Sequence, residues 1–127
     1  MAIRRQPDPR ARWQAAQQAE LDFWRSWRSI ATFHDFDPRA YWERQFRRLL
    51  ISDAVLRSQT VVEVGCGPFG GIFYLPPCKQ KVGVDPLAGK FAIQTSPSVS
   101  QPSADVYLLR AIGEHLPLRD ACADLVI

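Results

Sequence analysis

The sequence predicts an α/β protein in which a parallel β-sheet follows two amphipathic helices. Helix-start signals and helically spaced aromatic residues fill the first part of the chain, and short β-branched runs fill the second. The first of these runs ends in glycines spaced G-x-G-x-x-G. Near-continuous apolar strands are typical of a parallel sheet covered on both faces. We therefore divide the chain into a helical cap segment, residues 1–58, and a sheet domain, residues 59–127.

Composition narrows the class of protein. The chain has 127 residues, of which 46% are hydrophobic, as expected for one globular domain. No apolar stretch reaches the roughly 18 residues of a membrane span, and no secretory signal is present, so we expect a cytoplasmic protein. The spacing of Cys66, Cys78 and Cys122 fits neither a disulfide framework nor a zinc site. We expect reduced, buried thiols and no bound metal.

Charge is unevenly distributed along the chain. The formal net charge is +3, and ten arginines face six acidic residues before Ile51. Such a segment could steer an anionic substrate or nucleic acid. No nucleic-acid-binding motif accompanies it, which favours a solvated, arginine-rich helix face.

The first 58 residues predict two helices. Each begins with an Asp-Pro pair, Asp8-Pro9 and Asp37-Pro38, in which Asp is the N-cap and Pro the first helical residue. The second helix is predicted to extend towards Ser58. The stripe of the first helix is Trp13, Ala16, Glu20, Phe23, Trp27 and Ile30, and that of the second is Tyr41, Trp42, Phe46, Leu49, Leu50 and Leu56. These stripes could form a binding surface, but aromatic residues at helical spacing usually pack in a core, and we favour a core role. His34 is interpreted as a turn residue.

Four runs predict the strands: 61–64 (VVEV), 81–85 (KVGVD), 106–109 (VYLL) and 123–127 (ADLVI). The helix after the first run must be short, because Pro76-Pro77 cannot continue it. The segment 96–103 (SPSVSQPS) predicts a polar loop.

The glycine turn predicts a ligand site. Its glycines let the backbone turn sharply and approach a ligand, although the motif alone is a weak signal. Glu63 lies two residues before Gly65, where a carboxylate would repel the pyrophosphate of a dinucleotide. Three interpretations of this carboxylate remain. It could bind a ligand with a cationic amine, or it could pin the glycine loop by accepting hydrogen bonds from the N–H groups of the loop. In the third interpretation its role is purely structural.

Asp85 closes the second predicted strand, about twenty residues after the first glycine. A carboxylate at this place can accept both hydroxyls of a ribose. The following Pro86-Leu87 pair could form a wall against adenine. The alternative is an Asp that caps the next helix.

The segment 111–127 (AIGEHLPLRDACADLVI) completes a recognisable pattern. Together with the E-x-G-C-G-P turn and the VGVDPLA strand end, it resembles the class I S-adenosylmethionine-dependent methyltransferases, particularly the bacterial type 11-like group with a GE-x-LP motif. The three motifs occur in the order and spacing of that family, from Val61 to the last residue. The resemblance implies a Rossmann-like parallel sheet of the methyltransferase type, of which this chain holds the first four strands.

The resemblance also implies a set of site residues. The turn would hold the methionine end of the cofactor, Asp85 its ribose, and the loops after the second and third strands its adenine. The implied cofactor-binding residues are Glu63, Gly65, Cys66, Gly67, Gly70, Asp85, Pro86, Leu87, Gly113 and Glu114. Ile112 stands where many relatives have an acid that reads the adenine amino group, so backbone and apolar contacts are expected there. Ala123 replaces the usual aromatic residue of the fourth strand, which affects packing.

The implied reaction is transfer of a methyl group from S-adenosylmethionine to an unidentified acceptor by direct displacement, leaving S-adenosylhomocysteine and requiring no metal. The acceptor is expected to be a small molecule rather than nucleic acid. The two helices would cover the site as a lid, with Trp and Tyr residues lining the acceptor pocket. No catalytic base is assigned, and His115 is placed in the cofactor wall. Because the family sheet has seven strands, the chain is expected to be an N-terminal fragment, inactive alone, whose open strand edge invites self-association.

Two other functions remain open at this point. A nicotinamide-dependent oxidoreductase would explain the glycine motif and Asp85, but Glu63, Pro68 and the GEHLPL segment disfavour it. A non-catalytic remnant would bind a partner protein through its helical pair and its exposed strand edge.

Overall fold

The computed structural model describes residues 8–27, 35–91 and 105–127. Its helices are α1 (Pro9–Ser26), α2 (Pro38–Arg48) and α3 (Asp53–Leu56), and a 3₁₀ turn spans Gly71–Phe73. Its strands are β1 (Thr60–Val64), β2 (Gln80–Val84), β3 (Val106–Leu109) and β4 (Leu125–Val126). Ile30, His34 and the predicted polar loop at 96–103 lie outside the described residues. Within the described ranges, no helix combines the length and apolar character needed to cross a bilayer.

The four strands form one parallel sheet in the order β3-β2-β1-β4. Each predicted run contributes a strand, so the α/β class and the parallel sheet are confirmed. β1 pairs with both β2 and β4, and Val62 lies opposite Val82 on one side and Val126 on the other. Because parallel strands all end at the same edge, the turn after β1 and the residues after β2 lie close together.

The core packs on both faces of the two central strands. On one face Val61 is covered by residues of α2, α3 and the 3₁₀ turn, including Phe46, Leu56 and Ile72. On the other face Val62, Val82 and Val84 are buried. The outer strands are less well covered, since Tyr107 and Val126 on this second face are exposed. The expected coverage of both faces therefore holds for β1 and β2 in the described part of the chain.

Helix α1 begins as predicted but buries only part of its predicted stripe. Asp8 Oδ1 accepts a hydrogen bond from the Arg10 amide at 3.1 Å, which confirms the N-cap. Within the helix only Leu21 is buried, whereas Trp13 and Phe23 of the predicted stripe are 49% and 39% exposed. The prediction of a core stripe is wrong for these two residues.

The reason is the way in which α1 contacts the sheet domain. Trp24 and the buried Trp27 pack on Phe69, with ring centroids 5.9 and 4.7 Å away. Phe69 belongs to the turn after β1, so the C-terminal part of α1 packs over this turn. Packing a helix on one turn buries fewer of its positions than packing it along a sheet.

Helix α2 also begins as predicted, and Asp37 Oδ1 accepts from the amides of Arg39 and Ala40 at 2.9 and 3.3 Å. Its predicted continuation to Ser58 is wrong, because the helix ends at Arg48 and a separate α3 follows. The first 58 positions therefore contain three helices among the described residues.

The end of α2 is a Schellman motif. The Ile51 amide donates to the Phe46 carbonyl at 2.9 Å and the Leu50 amide donates to the Arg47 carbonyl at 3.2 Å. Leu50 adopts a left-handed conformation, with φ of 56°. This position is usually glycine, so the sequence contains no signal for the helix end.

Replacing Leu50 by glycine is expected to raise the free energy of unfolding by about 1 kcal/mol, since a left-handed L-residue costs roughly 1–2 kcal/mol. Leu50 is 85% exposed, so its removal loses little apolar burial. Urea denaturation measures the change. Leu49→Gly is the matched control, because Leu49 is also exposed but has φ of −86°, and it is expected to lower stability. A loss of stability in both variants would contradict the argument.

Candidate functional site

The turn at 65–70 connects β1 to the 3₁₀ turn at the carboxyl edge of the sheet. Gly65 and Gly67 have φ of 79° and 52°, in the region that favours glycine. The amides of Gly65 and Cys66 donate to the Val84 carbonyl at 2.7 and 3.3 Å, so the turn is tied to β2. The predicted shortness of the following helix is confirmed, since only the three residues Gly71–Phe73 are helical there.

Glu63 lies at the end of β1 with its carboxylate turned under the glycine turn. The side chain is buried, and its Oε1 and Oε2 accept from the amides of Gly71 and Ile72 at 3.2 and 2.7 Å. Burial raises the pKa of Glu63, and the two backbone hydrogen bonds oppose that increase. These hydrogen bonds agree with two of the three sequence interpretations, a carboxylate that pins the glycine loop and a purely structural carboxylate.

Asp85 performs a similar role from the end of β2. It is only 3% exposed, and its Oδ2 accepts from the Gly67 amide at 2.9 Å while Oδ1 accepts from the Leu87 amide at 2.7 Å. Glu63 pairs in register with Gly83, which places Glu63 and Asp85 on the same side of the sheet. The two predicted carboxylates thus converge on one turn from adjacent strands.

Cys66 lies close to both carboxylates. Burial, together with the negative charges of Asp85 and Glu63, raises the pKa of the Cys66 thiol to about 12. The thiol therefore stays protonated near neutral pH and is a poor nucleophile. All three cysteines are free, but only Cys66 is buried; Cys78 and Cys122 are partly exposed, which corrects the expectation of three buried thiols. The described residues contain no group of three or more His, Cys, Asp or Glu side chains placed to hold a metal ion.

A cavity of about 480 Å³, called here the turn cavity, opens above the glycine turn. Its floor is formed by Glu63, Gly65, Cys66, Gly67 and Gly70. Its roof consists of aromatic side chains from α1, α2 and the residues before α2: Phe23, Trp24, Trp27, Phe36, Tyr41 and Trp42. The roof is anchored to the floor, because Trp42 Nε1 donates to the Phe69 carbonyl at 2.7 Å. The helices therefore cover the turn, and their aromatic residues form a cavity wall.

A second cavity of about 390 Å³, called here the loop cavity, lies beside the residues that follow β2 and β3. Pro86, Ile112 and His115 line it, and Trp13 contributes from α1. An isolated bridge between Ile112 and His115 closes a turn whose tip is Gly113-Glu114. Sequence analysis missed Trp13 here, because the direction of an exposed ring depends on how α1 sits on the domain.

The ten predicted site residues are distributed unequally. Five of them form the floor of the turn cavity, Asp85 anchors that floor, and Pro86 lines the loop cavity. Leu87 is buried, and Gly113 and Glu114 are exposed at the tip of their turn. Comparison with protein-family models, curated proteins and solved structures gave no match to this chain.

Proposed function

We propose that the chain binds S-adenosylmethionine at the glycine turn and provides the cofactor-binding, Rossmann-like part of a methyltransferase. The observation that carries this proposal is the carboxylate of Glu63, which occupies the amides of Gly71 and Ile72. In a dinucleotide site, the amides at this place bind the pyrophosphate. Here an anion would approach a buried carboxylate. The two amides that could bind the anion already donate to that carboxylate. A cofactor without phosphate and with positive charge suits the turn better, and S-adenosylmethionine carries an ammonium and a sulfonium group.

The positions of the two cavities support the same cofactor. Ligands of open α/β sheets bind beyond the carboxyl ends of the strands, where both cavities lie. The amino-acid end of the cofactor would lie on the floor of the turn cavity and the adenine in the loop cavity, between Pro86 and Ile112 and close to Trp13. Asp85 lies at the end of the strand between these regions; it is 3% exposed and lines neither cavity, so in this proposal it acts by holding the turn through the Gly67 amide.

The residues of the chain would act mainly by positioning. The bound cofactor supplies an activated methyl group, which the acceptor takes in a single displacement that leaves neutral S-adenosylhomocysteine. Holding two reactants in line is worth roughly 7–11 kcal/mol in well-oriented systems. The Cys66 thiol, with its pKa raised to about 12, is not a covalent nucleophile in this proposal. His115 borders the loop cavity and is assigned to the adenine wall.

Alanine at Gly65 is expected to weaken binding of S-adenosylhomocysteine by about tenfold, a loss of about 1.4 kcal/mol. Gly65 lines the turn cavity, and a methyl group there meets no protein atom within 4 Å, so it would take space from the ligand. Gly89→Ala is the matched control: its φ of 80° equals the 79° of Gly65, and its added methyl group also meets nothing. Both variants should lose similar stability, whereas only Gly65→Ala should lose affinity.

Isothermal titration calorimetry with S-adenosylhomocysteine and with NADH measures these affinities. The proposal predicts binding of S-adenosylhomocysteine to the unmodified chain and none of NADH. Preference for NADH, no binding of S-adenosylhomocysteine, or equal losses in the two glycine variants would overturn it.

A further inference from the structure

We propose that the aromatic roof of the turn cavity binds an organic ammonium group, and that the methyl acceptor is therefore a small amine. The acceptor role rests on the proposed function above. The cation site itself is argued from the cavity alone and is tested separately.

The charged side chains described in the cavity lining are both acidic. Among the described residues that line it, Glu20 and Glu63 are acidic and none is Lys or Arg. This contrasts with the arginine-rich sequence of α1 and α2, whose described arginines do not line this cavity. The helices thus combine a basic outer surface with an acidic, aromatic cavity wall. A cationic ligand is favoured inside it, and an anionic ligand is repelled.

The two carboxylates lie on opposite walls. Glu63 belongs to the floor, where it supports the glycine turn and faces the proposed cofactor. Glu20 belongs to α1 and is half-buried, and its Oε1 accepts a long hydrogen bond of 3.4 Å from Trp24 Nε1. Each wall therefore has its own carboxyl group. The ammonium of the cofactor would use the floor, which leaves the roof for a second positive group.

The rings of the roof are tilted against one another. Tyr41 packs on Trp42 at 5.2 Å between centroids with an interplanar angle of 82°, and Phe36 packs on Tyr41 at 5.6 Å and 54°. The rings that line the cavity therefore lie in different planes. The face of an aromatic ring attracts quaternary and alkylated ammonium groups by about 0.5–2 kcal/mol, depending on desolvation. A neutral ligand of the same shape gains less from this arrangement.

The cavity suits the charge changes of N-methylation. The acceptor reacts as the free amine, having lost any excess proton to water beforehand. Its nitrogen lone pair forms the new N–C bond while the C–S bond breaks, and that electron pair stays on sulfur. The positive charge moves from sulfur to nitrogen, and the product is a methylated ammonium ion. Since this charge develops at the nitrogen beside the aromatic roof, the roof stabilises the transition state and the product.

Choline and its neutral carbon isostere, 3,3-dimethylbutan-1-ol, provide the test. Calorimetry on the whole chain is expected to show choline binding at least about tenfold more tightly than the isostere, since only choline gains the cation–π and charge terms. Saturating S-adenosylhomocysteine should leave choline affinity intact, because the two occupy different walls. Equal binding of the two probes, or loss of choline binding in the presence of S-adenosylhomocysteine, would overturn the proposal.

A pair of acidic residues provides the matched variants. Glu20→Gln keeps an acceptor for Trp24 but removes the charge, and it should weaken choline binding by about tenfold while leaving S-adenosylhomocysteine affinity unchanged. Glu43→Gln removes an exposed acid of α2 that does not line the turn cavity, and it should change neither. If Glu20→Gln binds choline normally, the cation site is wrong. If choline binds but S-adenosylhomocysteine does not, the cation site stands and the methyltransferase proposal fails.

Discussion

Replacing Gly70 by alanine is expected to lower the free energy of unfolding by about 3–5 kcal/mol, through overpacking and the loss of buried hydrogen bonds. The backbone at Gly70 is unstrained, with φ of −60°, so the cost is steric. An added Cβ would overlap the Cys66 carbonyl oxygen and lie 2.7 Å from Glu63 Oε2. Neither neighbour can move freely, because the first is main chain and the second is bonded to the Ile72 amide.

Urea denaturation, followed by tryptophan fluorescence, measures this loss. Gly65→Ala is the informative control because it adds the same methyl group five residues earlier in the same turn, at positive φ but in open space. It should cost only the backbone strain, about 1–2 kcal/mol. Equal losses of unfolding free energy in Gly70→Ala and Gly65→Ala would contradict the steric argument, because only the methyl group at position 70 would be placed against Glu63.

The elements that the sequence predicts well are those whose signals are local. Both Asp-Pro pairs start helices because an N-cap needs only its own side chain and the next two or three amides. The β-branched runs become strands, since period and residue type are read within a few positions. Pro76-Pro77 limits the segment after β1 for an equally local reason, the missing amide hydrogen.

The elements that the sequence predicts poorly depend on tertiary structure. Helix α2 stops where Leu50 takes a left-handed conformation, and leucine carries no signal for such a position. The exposure of Trp13 and Phe23 follows from α1 packing over the turn after β1, which no helical periodicity reveals. In both cases the sequence pattern gives the conformations and contacts that are possible for a segment. Packing against the neighbouring elements determines which of them forms.

In the candidate site too, features with local sequence signals were predicted, and features that depend on tertiary structure were not. Glu63 and Asp85 were predictable as convergent carboxylates, because parallel strands end at one edge. For Glu63, bonding to the loop amides was one of three interpretations, and for Asp85 the bond to the Gly67 amide was not predicted, since the choice between a ligand and the protein's own amides depends on the path of the turn. The sequence predicted a helical lid with Trp and Tyr residues in a pocket wall, but Trp24 and Phe36 of the roof lie outside both predicted stripes. The position of the roof over the turn required the contacts of Trp24, Trp27 and Trp42 with Phe69.

The hydrogen bonds of Glu63 and Asp85 offset the entropy that the glycine turn loses when it becomes ordered. A turn with three glycines loses much conformational entropy when it becomes ordered. Glu63 and Asp85 oppose this loss with four hydrogen bonds to buried amides, three of them to residues 67, 71 and 72 that follow β1. The result is a turn whose backbone is held by the two carboxylates and which has no side chain at its three glycine positions. Preorganisation of this kind reduces the entropy lost on binding.

Removing the Glu63 side chain tests this view of the turn. Glu63→Ala leaves the buried amides of Gly71 and Ile72 without their acceptor, and each unsatisfied donor costs about 1–3 kcal/mol. The variant regains part of the cost of burying a carboxylate, so we expect a net loss of about 2–4 kcal/mol at neutral pH. Urea denaturation measures it, and Glu43→Ala on the exposed side of α2 should stay within about 0.5 kcal/mol of the unmodified chain.

The difference in unfolding free energy between the unmodified chain and Glu63→Ala depends on pH. Its direction shows whether burial or the backbone hydrogen bonds have the larger effect on the pKa of Glu63. Burial raises the pKa of Glu63 above its ordinary value, so the folded chain binds the proton more tightly than the unfolded chain does. The contribution of this carboxyl group to stability is therefore full below its unfolded pKa and declines as the pH rises through its folded pKa. The gap in unfolding free energy between the unmodified chain and Glu63→Ala should narrow over that interval. If the gap widened with rising pH instead, the amides of Gly71 and Ile72 would outweigh desolvation, and the turn would hold its carboxylate ionised even without a cationic ligand.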